Sequence, residues 1–157
     1  MALTLTRDDG LILSDDATRL DVDRVHDWLR TSYWASDRDR PTLERAIAGS
    51  EVFGVYAPAG EQVAFARVVT DRATFAWICD VIVDEAWRGK GIGGWLMRAV
   101  ADAVNAYGVR RTVPATRDAH GVYEPLGFTP LLYPQFWMEI DRRDNRPRPL
   151  DGVVDPA

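Results

Sequence analysis

Residues 87–95 read WRGKGIGGW and follow the apolar run VIV at 81–83. Four glycines fall within six positions here: Gly89, Gly91, Gly93 and Gly94, with Arg88 and Lys90 close by. Beyond them apolar residues recur along one stripe, at Ile92, Leu96, Val100, Ala103 and Tyr107, which predicts a helix that Gly108 ends. A strand that passes through a glycine-rich turn into a helix narrows the fold to a layered α/β arrangement. It also leaves backbone N–H groups at a helix start with little side chain over them. One glycine serves a turn, and four exceed what a turn needs. The surplus implies close approach of something to the main chain, and a helix N-terminus favours an anion.

The remaining segments supply the other layers. LILSDD, 11–16, reads as a short strand. Asp21 is placed to cap a helix that carries Val22, Val25, Leu29 and Tyr33. SDRDR, 36–40, breaks the pattern, Pro41 suits the first turn of a second helix, and Gly49 can end it. EVFGVYA, 51–57, and QVAFARVV, 62–69, are strand-like and joined by PAGE. After a turn at 70–72, TFAWICDVIV, 74–83, is apolar on both faces and is expected at the centre of the sheet. RRTVPA, 110–115, is a further strand, and DAHGVYEPL, 118–126, a short helix that Pro125 should shorten or kink and Gly127 should close. FTPLL and FWMEI are expected to form a final hairpin. The expectation is an α/β domain over residues 1–141, with a mixed, mostly antiparallel sheet and flanking helices. A polar, proline-rich tail occupies 142–157.

Charge and cysteine content exclude several functions. Net charge is −5, which argues against a nucleic-acid partner, so an anion must be held by a local site. Of 19 basic residues only Lys90 is a lysine, and it lies in the glycine cluster. One cysteine, Cys79, permits no intramolecular disulfide and no cysteine-rich zinc site. His26 and His120 lack metal-ligand spacing, so no metal is expected. MALTLTRDDG has no signal-like apolar core, and no apolar run approaches membrane-spanning length. A cytoplasmic protein with no membrane partner is the expectation.

Gly89, Gly91 and Gly94 match G-x-G-x-x-G, but the dinucleotide reading fails on context: residues 84–88 separate strand from glycines, and RRTVPA has no acidic residue for a ribose. No Walker phosphate loop is present. Arg88-Gly89-Lys90-Gly91-Ile92-Gly93 resembles the R/Q-x-x-G-x-G/A signature of the GNAT N-acetyltransferase superfamily. ATRDAHGVYEPLGF, 115–128, is similar to that family's later segment, with Ala119, Val122, Tyr123, Gly127 and Phe128 in register. The two motifs occur in the family's order.

The resemblance implies the GNAT fold and transfer of acetyl from acetyl-CoA to a primary amine, a small molecule or a protein N-terminus, by direct attack and without metal. It implies that Arg88, Gly89, Lys90, Gly91, Ile92 and Gly93 hold the pyrophosphate, and that Val81, Ile82 and Val83 pair with the pantetheine arm. Thr116 stands where many members have asparagine and retains hydrogen-bonding capacity for that arm. Tyr123 is implied as the general acid, since a phenol stays protonated at neutral pH. Asp80, the lone charge in FAWICDVIV, is a candidate base or substrate contact, with an ion pair to Arg67 or another arginine, or a bulge that turns it outward, as the alternatives. Tyr33, Trp34, Phe53, Trp77 and Tyr133 are candidate walls of the acceptor pocket. Arg117 is a candidate contact for an anionic substrate group or the phosphate, and His120 for the cleft. A non-catalytic acyl-CoA-binding module is the competing reading. Many family members form homodimers, and the sequence leaves that open.

Overall fold

The computed structural model describes residues 2–142; most of the expected tail, 143–157, lies outside the described residues. One six-stranded sheet runs in chain order, β1 (Thr4–Thr6), β2 (Ile12–Ser14), β3 (Glu51–Tyr56), β4 (Gln62–Thr70), β5 (Phe75–Val83) and β6 (Arg111–Pro114). Neighbours are antiparallel from β1 to β5, and β6 is parallel to β5. The sequence reading missed β1, whose three residues are all exposed and carry no core signal.

Helices cover both faces. α1 (Val22–Arg30) starts at Asp21, whose carboxylate accepts the Arg24 N–H at 3.0 Å. α2 (Arg40–Ala48) starts at Asp39, which accepts the Thr42 N–H at 2.8 Å, with Pro41 in the first turn. These two helices bury Val25, Leu29 and Leu43 with Val52, Phe65 and Ile82 of the sheet. α3 (Ile92–Ala106) covers the other face, burying Leu96, Met97 and Val100 with Ala64, Ala66, Val68, Ala76 and Ile78. Each such aliphatic side chain contributes about 1.5–3 kcal/mol of burial free energy. The stripe of α3 ends on Val104, while Ala103 is only half-buried and Tyr107 is exposed.

Two irregularities mark β5. Its pairing with β6 covers only Phe75 to Ile78 and ends opposite Pro114, which has no N–H to continue a ladder. From Cys79 onward that edge of β5 has no strand beside it among the described residues. The expected central strand is therefore flanked on both sides over its first half alone. The second irregularity faces β4. Arg67 pairs with Cys79 and Phe65 with Ile82, so β5 carries one extra residue, with Asp80 at φ +52°.

The chain ends differently from the expected hairpin. α4 (His120–Tyr123) passes into a 3-10 turn at Glu124–Leu126, where Pro125 cannot continue α-helical bonding, and Gly127 closes it at φ +90°. FTPLL and FWMEI are not strands. Among the described residues they pair with no sheet edge, and Leu132, Phe136, Met138 and Ile140 are exposed, with a 3-10 turn at Pro134–Phe136. No helix of the described residues is long and apolar enough to cross a membrane.

Candidate functional site

The glycine cluster separates into distinct roles. Gly89 and Gly91 have φ +77° and +70°, a left-handed backbone that side chains resist. Gly91 is the N-cap of α3 and supplies no side chain to bond the free N–H groups, and the first turn has no acidic residue. A Cβ on Gly93 would meet Val83 Cγ2 at 3.7 Å, an ordinary contact. A Cβ on Gly94 would meet nothing within 4 Å. The free protein thus gives no reason for glycine at 94, in the first turn of a helix. Ile92 packs into the core, so only its main chain faces the loop. Arg7 donates to the Lys90 carbonyl at 3.1 Å while bonded to Asp9, tying the β1–β2 turn to the loop. Lys90 Nζ lies 4.3 Å over the Trp87 ring.

A cleft of about 1370 Å³ opens between the free edge of β5 and the segment after β6. Val81, Ile82 and Val83 line it from one side, Thr116, Arg117 and Tyr123 from the other. Arg88 also lines it, and its Nε donates to the Val83 carbonyl at 3.1 Å. The Thr116 hydroxyl accepts the Ala119 N–H at 3.0 Å, which fixes the start of α4 and leaves its proton available to a ligand.

Tyr123 is buried, with its ring edge-to-face on Phe128 at 5.7 Å. Its hydroxyl makes no hydrogen bond to another described residue. Burial, with smaller effects of the nearby Cys79 and Tyr33, pushes its pKa up to about 12. Cys79 shares the cleft wall. Burial raises its thiol to about 12, outweighing the pull of Arg67 toward the thiolate.

The β5 bulge turns Asp80 into a cluster of charges. Its side chain is 1% exposed, and Oδ2 accepts from Arg38 Nη1 at 2.6 Å and Arg67 Nε at 2.8 Å. Oδ1 accepts from the Trp34 indole at 3.3 Å. The ion pair with Arg67 weighed as the alternative is therefore present, with a second arginine added. Arg67 also donates to the Ser50 hydroxyl at 3.0 Å. Tyr33 packs edge-to-face on Trp34 at 4.9 Å, accepts the Arg117 N–H at 3.1 Å, and lies 3.9 Å beneath the Arg117 guanidinium.

Of the other candidate aromatics, Trp77 lines the cleft and is 43% exposed. Phe53 does not line it: it lies in the core, as a strand residue facing α3 does. Tyr133 is exposed and stacks on Phe136 outside the cleft lining. His120 is exposed at the start of α4, and His26 meets the Arg38 carbonyl at 3.1 Å. The sequence reading missed Arg38 and Arg7, and it counted Gly94 in the glycine cluster without placing it among the residues that hold the pyrophosphate. Arg38 sits in a segment whose only local signal is the break between two helices.

Comparison with known proteins agrees with this geometry. The profile of the acetyltransferase (GNAT) family matches residues 21–128. A structure from Xanthomonas campestris pv. campestris, provisionally described as an acetyltransferase of the GNAT family, is 43% identical. It superposes with a TM-score of 0.80, covering 84% of this chain and 93% of that one. FG08082 of Gibberella zeae, provisionally named an acetyltransferase, is 29% identical over 133 residues, 72% of this chain and 75% of that protein. A GNAT acetyltransferase from Elizabethkingia anophelis with acetyl-CoA bound shares the fold at 17% identity and a TM-score of 0.59, with 78% of each chain covered. The mixed-sheet fold class anticipated from the sequence holds, and the chain belongs to the acetyltransferase (GNAT) family.

Proposed function

We propose that this chain is an acetyl-CoA-dependent N-acetyltransferase that transfers acetyl to a primary amine by direct attack. The observation that carries this reading is Tyr123, a buried phenol at the cleft wall whose hydroxyl has no partner among the described residues. The glycine-lined start of α3 fits a pyrophosphate, because its N–H groups are uncapped and a Cβ at Gly94 would project into open space. The free edge of β5 at Val81–Val83 suits a pantetheine arm, whose amides can pair with exposed strand groups. Arg88 and Lys90 add positive charge beside the pyrophosphate, and Thr116 offers its hydroxyl proton to the arm.

Bound acetyl-CoA supplies the acetyl group in activated, thioester form. The acceptor nitrogen bonds to the acetyl carbon, the carbon–sulfur bond breaks, and the amine proton leaves to solvent. Tyr123 Oη gives its proton to the departing sulfur and regains one from solvent, which balances the proton that the amine released. Asp80 serves as an anchor for Arg38, Arg67 and Trp34, since both of its carboxylate oxygens are already taken up by those three donors.

The test pairs binding with turnover. Coenzyme A at about a hundred times its Kd should raise stability by roughly 2.7 kcal/mol. Tyr123→Phe should keep that shift and lower kcat by roughly a hundredfold or more. Because the phenol is raised, its proton is retained below the ordinary value near 10 and lost only as pH rises through about 12. Tyr123 should therefore impose no alkaline fall in rate below about pH 10. Unchanged turnover in Tyr123→Phe would remove the acid role; a coenzyme shift without thiol release from any amine would favour a non-catalytic module.

A further inference from the structure

We infer that the acceptor is an amine that also carries a carboxylate, of free amino-acid size, and that Arg38 receives that carboxylate. This rests on the acetyltransferase reading and adds the class of acceptor.

The argument starts from a charge imbalance. Asp80 pairs with both Arg38 and Arg67, and Glu139 and Asp141 also line the cleft. The two guanidiniums share that one carboxylate, so the Arg38–Asp80–Arg67 cluster by itself carries one surplus positive charge. Asp80 and Arg67 have side chains only 1% and 8% exposed, so water screens the cluster poorly. Arginine cannot shed the charge by losing a proton. An anion brought into the cleft is what completes the cluster.

Arg38 is the member that can meet it. Arg67 is committed through Nε to Asp80 and through Nη1 to Ser50, and it sits deeper. Arg38 uses Nη1 for Asp80, its side chain is 20% exposed, and it lines the cleft. Nε and Nη2 of Arg38 make no hydrogen bond to another described residue. The Asp80 bond holds the guanidinium in place, so little side-chain entropy remains to be lost when a carboxylate binds. Asp39, beside it in sequence, is occupied by the Thr42 N–H at the start of α2, and Asp37 is exposed.

The surroundings set the size. Trp34 bonds to Asp80 and packs on Tyr33, which lies beneath Arg117. The aromatic pair thus spans from the arginine cluster to the segment that carries Tyr123. A carboxylate on Arg38 with an amine directed toward Tyr123 fits a compact acceptor lying along that wall. A protein N-terminus places an amide where this site offers a cation for an acid.

The experiment measures kcat/KM for the twenty L-amino acids, each against its α-carboxamide, with wild type and Arg38→Gln. Wild type should prefer at least one acid over its amide by roughly tenfold or more, the scale of a charge-assisted bidentate contact. Arg38→Gln should reduce that ratio to within about threefold, chiefly through KM for the acid, leaving KM for acetyl-CoA in place. Arg38→Lys should fall between, because a point charge replaces the planar fork. Equal or better use of the amides by wild type would overturn the inference, and that comparison needs no variant to fold. So would an unchanged ratio in Arg38→Gln. Absence of turnover with every amine would instead sink the acetyltransferase reading. Thermal stabilisation by the N-acetyl amino acids against their amides, with coenzyme A present, then decides carboxylate recognition separately: stabilisation by the acids lost in Arg38→Gln supports it, and none in wild type overturns it.

Discussion

Replacing Gly94 with alanine should make the protein more stable and a poorer binder of coenzyme A. Gly94 lies in the first turn of α3, is exposed, and has nothing within 4 Å of where a Cβ would stand. Alanine is favoured over glycine by at most about 1 kcal/mol in a helix interior, and by less in the first turn. For a chain of this size 1 kcal/mol corresponds to about 2–4 °C, so the ligand-free midpoint should rise by about 1–3 °C. On the proposed reading, the same methyl would stand where a pyrophosphate approaches the backbone. A tenfold weaker Kd lowers the stabilisation at fixed ligand from about 2.7 to about 1.4 kcal/mol. Thermal unfolding with and without coenzyme A reads both numbers in one titration. Gly91→Ala is the control: at φ +70° it should destabilise the ligand-free protein by about 1–2 kcal/mol. A Gly94→Ala protein that keeps the full coenzyme shift would refute the close-approach argument, and a lowered ligand-free midpoint would refute the reading of open space.

Two further outcomes concern buried and half-buried carboxylates. Asp80→Asn leaves Arg67 buried without its countercharge and should cost about 3–5 kcal/mol in urea unfolding; a loss under about 1 kcal/mol would mean that the arginines find compensation elsewhere. Asp84 is raised by burial, but bonds from the Ala86 N–H, Arg24 and the Trp28 indole, with the Arg24 charge, outweigh this and hold it below the usual carboxylate range. A depressed carboxylate contributes stability that is present above the unfolded value near 4 and lost as pH falls through the folded value. Asp84→Asn should therefore flatten the acid limb of the stability curve, and an unaltered slope would remove Asp84 from that limb.

How much could be read from the sequence depends on the range of the interactions involved. Asp21, Pro41, Gly49, Gly108 and Gly127 act within a turn of their own position, and the elements they bound appear where their chemistry puts them. The glycine loop was legible for the same reason. Residues 128–140 were misread because a run of apolar residues becomes a strand only if an edge accepts it, and edges are set by distant parts of the chain. TLT was missed because its pairing with β2, not its composition, makes it a strand. Asp80 was legible as an anomaly, with an arginine pair or a bulge among its readings, but that both occur together and that the second arginine is Arg38 was not, since Arg38 lies 42 positions away in a segment without periodicity. Tyr123 was reached only through the resemblance to a family, as nothing local distinguishes it from a core tyrosine.

The raised thiol of Cys79 bears on how such a cleft stays clean. At neutral pH a thiol with a pKa near 12 is ionised in roughly one molecule in ten thousand or fewer. A sulfur nucleophile next to an activated acyl group would otherwise divert that group onto the protein, ending each misdirected cycle in a dead covalent adduct. Burial keeps the side chain inert as a competitor, so the chain's lone sulfhydryl can share a wall with Tyr123 without becoming a trap, and colorimetric detection of released coenzyme should carry almost no background from the protein itself.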